Sequence, residues 1–78
     1  MNKYLLTVKL AGNKKQVVMG EHEALNFITN TLARLAAMNE TSAFLQATAL
    51  LGKAAKGNPQ GFENQKNSAS LVVQNYEL

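Results

Sequence analysis

Any side-chain chemistry in this chain would begin at His22, its single histidine, which lies between Glu21 and Glu23. A serine triad would join that imidazole to an acid and to Ser42, Ser68 or Ser70. No spacing brings these residues together, and no nucleophile-elbow glycine pattern surrounds any of the serines. Glu21-His22-Glu23 is equally poor as a metal set. Neighbouring helical residues point in different directions, whereas paired ligands need i,i+3 or i,i+4 spacing.

With no cysteine there is no thiolate ligand, Cys-His pair or disulfide. Gly52-Lys53 has the closing residues of a phosphate-binding loop, but Ala47 stands where its first glycine belongs and Ala54 where its hydroxyl residue belongs. His22 therefore reads as a surface residue, and the glutamates as first-turn partners of a helix dipole. The chain is expected to be no enzyme, to hold no cofactor or metal, and no small-molecule ligand is inferred.

The basic residues offer a second kind of chemistry. Lys14 and Lys15 fall at a hairpin tip, and Lys53, Lys56 and Lys66 fall near the end of a helix. Together they form a candidate nucleic-acid-binding patch, with Tyr4 and Tyr76 as base-stacking residues if they occupy an open sheet face. The net charge is only +3, and Arg34 is the single arginine. Bidentate recognition of phosphate or guanine is correspondingly disfavoured. Lysines at hairpin tips and helix ends also serve plain solubility.

These residues must be positioned by a small fold. The 78 residues make one domain, near the lower limit for a self-sufficient core. Lacking a disulfide, such a chain gains most from self-association or a partner. No basic segment leads into an apolar run, and no run approaches the roughly 20 residues that span a bilayer. A soluble, cytoplasmic protein is expected.

Tyr4, Leu6, Val8 and Leu10 alternate with Leu5, Thr7 and Lys9, which predicts a strand. Ala11 to Lys14 supplies a turn, and Gln16 to Met19 a return strand. From Glu21 to about Met38 the period is helical, with Ala24, Ile28, Thr31 and Leu35 on one stripe. Thr41 to Lys56 is a second helix, separated by Asn39-Glu40-Thr41-Ser42, with Thr41 or Ser42 as its N-cap. A single bent helix from Glu21 to Lys56 is the alternative. Gly57 and Pro59 end it. Residues 58–68 read as a mobile loop that Phe62 pins to the body, and Ala69 to Leu78 as a final strand. The expected fold is α+β, in the order β-β-α-α-β, with two helices on one face of a small sheet. The last strand is placed antiparallel beside the second or parallel beside the first.

The second helix is apolar nearly all round. Phe44, Thr48, Leu51 and Ala55 are expected on the sheet. Ala43, Ala47, Leu50 and Ala54 meet either the first helix or a second molecule across a two-fold axis, and are the candidate partner-binding stripe. Leu5, Val72, Tyr76 and Leu78 on the open sheet face form another association surface. The expected function is a small non-catalytic protein-binding or regulatory module, a homodimer or the partner of another protein. Its size suits an accessory protein of a bacterium, phage or mobile element. The competing class is a nucleic-acid-binding regulator that uses the lysines.

Overall fold

Ala11 and Gly12 turn β1 (Lys3–Leu10) back into β2 (Asn13–Gly20), and both take positive φ, 51° and 87°. Leu10 and Asn13 face each other across this two-residue loop. Two consecutive positive φ values make the tight turn whose twist matches that of the flanking strands. The computed structural model describes residues 3–64, 66 and 68–76.

The chain continues through α1 (Glu21–Leu35), α2 (Glu40–Ala55), β3 (Gln60–Asn64) and β4 (Ala69–Asn75). All strand pairs are antiparallel, in the order β2-β1-β4-β3. The fold is α+β, as the periodicities imply, with one strand more than they imply. Residues read as a mobile loop contain β3, and Phe62 there packs against the core from the inner face of the sheet.

The additional strand also settles the sheet order. It reverses the chain once more, so β4 runs antiparallel to β1 and pairs directly with it, with Leu6 opposite Val73 and Val8 opposite Leu71. Neither expected placement of the last strand is the one adopted.

The helices are separate. Ala37 takes φ 53° and leaves the helical path, which rules out one bent helix. Asn39, rather than Thr41 or Ser42, is the N-cap of α2, its Oδ1 accepting from the Ser42 N–H at 2.8 Å. At the far end Gly57, φ 95°, donates to the Ala54 carbonyl at 3.0 Å, and Asn58 donates to that of Lys53 at 3.3 Å. These two bonds form the glycine-ended cap that Gly57 implies.

The core lies between the helices and one sheet face. Tyr4, Leu6, Leu71 and Val73 contribute from the sheet, Ala24, Ile28 and Leu32 from α1, and Ala43, Ala47, Leu50, Leu51 and Ala54 from α2. Helix α2 lies on β4 and β3, while α1 packs mainly against α2 and touches β1 and β2 only lightly.

Candidate functional site

Helix α2 is oriented differently from the expectation. Ala43, Ala47 and Ala54 are completely buried and Leu50 nearly so, all inside the chain's own core. Of the two alternatives for this stripe, the first helix or a second molecule, its burial agrees with the intramolecular one. The cause is size: three alanines let α2 approach the sheet and α1 at close range, which the wide Phe44 would prevent. Of the residues assigned to the sheet, Leu51 is buried, but Phe44 and Thr48 are exposed and Ala55 is half-buried.

What α2 presents outward is Phe44, 49% exposed, and Leu45, 64% exposed, followed by exposed Thr48, Ala49 and Gly52. From Thr41 to Gly52 this helix carries no charged residue. The Thr48 hydroxyl donates to its own helix, to the Phe44 carbonyl at 2.9 Å, and so adds little polarity to that face. A Cβ at Gly52 would meet no atom within 4 Å, so the glycine is not required by packing inside the chain.

Among the described residues no helix covers the outer face of the sheet. Registered rows cross it, beginning at the hairpin tip with Lys14, Lys9, Ser70 and Glu63. Gln16, Thr7, Val72 and Gly61 come next, the Gln16 amide donating to the Thr7 hydroxyl at 3.1 Å, and then Val18, Leu5 and Gln74. Leu5, Val72 and exposed Tyr76 are the apolar residues expected on this side. Leu78 lies outside the described residues.

The five candidate lysines do not form one patch. Lys14 shares the outer face with Lys9, whereas Lys15, opposite Val8, is on the inner face. Lys53 and Lys56 are at the end of α2, where the Asn75 amide reaches the Ala55 carbonyl, at the end of the sheet where Tyr4 lies. Lys66 follows β3 at the opposite end of the sheet, next to the hairpin tip, where Ala11 donates to the Ser68 carbonyl at 3.1 Å. Lys3 and Lys9 were missed, although strict alternation along β1 puts both on the face of Lys14. Tyr4 is a core residue and cannot stack a base.

His22 occupies the first turn of α1 and, with Glu21, Leu25, Thr48, Leu51 and Gly52, lines a shallow depression of about 300 Å³. Ser68 and Ser70 are at the hairpin-tip end of the sheet, away from the Gly20 end where α1 begins. Among the described residues no three of His, Cys, Asp or Glu are grouped to hold a metal ion, and no helix is long and apolar enough to cross a membrane.

Comparison with family models, curated proteins and solved structures gives no significant match. Function has to be read from these surfaces.

Proposed function

We propose that the chain is a small non-catalytic binding or regulatory module that pairs with a second copy through the outward face of α2. The observation that carries this reading is the exposure of Phe44 and Leu45 on a helical face without charge. Adjacent exposed large apolar residues on a helix mark an association surface more often than isolated ones do.

The chemistry of the face favours its own copy. A molecule with net charge +3 repels itself weakly, and an uncharged face avoids direct lysine-lysine contact. In an antiparallel pair, Glu40 at the start of one α2 lies towards Lys53 and Lys56 at the end of the other, so a two-fold contact is complementary at both rims. Thr48, Ala49 and Gly52 are small enough for two helices to approach closely.

Sedimentation equilibrium over a micromolar concentration series tests the proposal. The wild type should show twice the mass of the chain, and the double variant Phe44→Glu, Leu45→Glu should sediment as a folded monomer. A monomeric wild type across the series overturns the reading.

A second reading is supported by the register pair Lys9 and Lys14 on the uncovered sheet face, with Lys3 on the same side. Like charges directly opposite each other are locally destabilising and would be relieved by a polyanion. Single-stranded nucleic acid on this face should bind with a steep salt dependence that Lys9→Glu, Lys14→Glu abolishes. The charge reversal Lys53→Glu, Lys56→Glu should leave that binding unchanged.

A further inference from the structure

The inner face of the sheet is not completely covered. Because α1 leans on α2, a groove opens between α1 and the β1–β2 hairpin. Its first part is a hollow of about 290 Å³ walled by Leu6, Val8, Leu10, Val17 and Phe27, with Lys15 at its rim. A second hollow of about 260 Å³ shares Val8, Leu10 and Phe27 and extends along α1 to Arg34 and Leu35. Leu10, an inner-face residue, is left 47% exposed there.

The groove is apolar in its walls and cationic at its mouths. Lys15 is an inner-face residue of β2, so its stem runs along the wall and its ammonium reaches water at the rim. Arg34 supplies the second cation. Among the described residues no carboxylate lines either hollow, and neither cation has an ion-pair partner. The Thr31 hydroxyl is already engaged, donating to the Phe27 carbonyl at 2.8 Å.

From this we infer that the groove binds a single-chain amphiphile with an anionic head. The alkyl chain lies on Val8, Leu10, Val17 and Phe27, and the head meets Lys15 or Arg34. Apolar walls with a few polar groups at the opening are the usual make-up of a small-ligand site, and each hollow is near the lower size limit of such sites. The head is a carboxylate or a phosphate. The site is separate from the α2 face, so its occupancy and self-association can be measured independently.

The test titrates the protein with decanoate, decyl phosphate and decyltrimethylammonium, each below its micelle concentration, with methyl NMR as the readout. Saturable shifts are expected at Val8, Leu10 and Val17, with the methyl signals of Leu45 unmoved. The exposed ion pair made by the head favours the anionic probes over the cationic one by up to roughly fivefold. The relative affinity of the two anions identifies the head group. Lys15→Glu with Arg34→Glu, both exposed and therefore compatible with folding, should reverse the preference. Equal affinity for anionic and cationic probes, shifts centred on Leu45, or no saturable binding would each overturn the inference. Binding of an acidic amphipathic peptide in place of every alkyl probe would overturn it in favour of a protein partner.

Discussion

The side-chain amide of Asn64 donates to the main-chain carbonyl of Leu35, the last residue of α1. Asn75 makes the matching contact at the other end of the sheet, donating to the carbonyl of Ala55, the last residue of α2, at 3.4 Å. Both asparagines are inner-face residues, aligned by register with Ala69 and Tyr4. The final carbonyls of a helix have no partner within the helix, and a strand side chain that reaches one removes that deficit. The sheet thus fastens both helices at their C-terminal ends.

Asn64→Ala should cost about 1 kcal/mol, since it removes one hydrogen bond to a part-buried helix-end carbonyl. Asn64→Asp should cost more at neutral pH, because a carboxylate would face both that carbonyl and the negative end of α1. Urea unfolding of the two variants gives the order. A smaller loss for the aspartate variant would mean that the contact contributes little.

Tyr4 is fully buried, and its hydroxyl has no hydrogen-bond partner among the described residues. An orphaned buried hydroxyl costs on the order of 1–3 kcal/mol of desolvation. Tyr4→Phe should leave stability unchanged or raise it by about 1 kcal/mol, as the shift in thermal midpoint will show.

Ala11 holds φ 51° at the hairpin turn, a conformation that costs a non-glycine residue roughly 1–2 kcal/mol. Ala11→Asn, which creates the Asn-Gly pair preferred in such turns, should stabilise the protein by about 0.5–1 kcal/mol. Denaturant midpoints will register the gain, and a loss of stability would show that the turn does not hold these angles in solution.

Gly52 lies inside α2 with open space beside it. Gly52→Ala should stabilise the monomer by about 0.5–1 kcal/mol through helix propensity. If two α2 helices meet at this glycine, the same change should weaken the dimer, and sedimentation set beside unfolding curves separates the two effects.

Leu50→Glu should unfold the chain, because a carboxylate there would be buried without a partner. Leu45→Glu should leave a native circular dichroism spectrum and a stability within about 0.5 kcal/mol, apart from any contribution of self-association. A folded Leu50→Glu variant would contradict the orientation of α2 described above.

Much of the fold was legible in local patterns. Tyr4, Leu6 and Val8 alternate because one face of β1 is buried. Gly12 and Gly57 fall where the backbone takes positive φ, and Ala24, Ile28 and Leu32 recur at helical spacing along the buried side of α1. The two faces of the hairpin were equally readable. Alternation separates Lys14 from Lys15 and groups Lys14 with Lys9 and Lys3, so grouping Lys14 with Lys15 counted charges without their faces.

β3 was not legible. Gln60, Phe62 and Asn64 do alternate with Gly61 and Glu63, but the inner positions carry amides as well as an aromatic ring, so they lack the apolar signature of a buried face. Asn64 belongs there because a helix end waits above it, a partner 29 residues away.

The positions of β1, β2, β4, the hairpin turn and the two helices followed from the sequence by itself, because each depends on residues a few places apart. Which side of α2 faces the sheet did not. Its two stripes are both apolar and only about 100° apart, so hydrophobicity cannot rank them. Tertiary packing ranked them by volume: Ala43, Ala47 and Ala54 admit the close approach of α1 and the sheet, and Phe44 and Leu45 are left facing solvent.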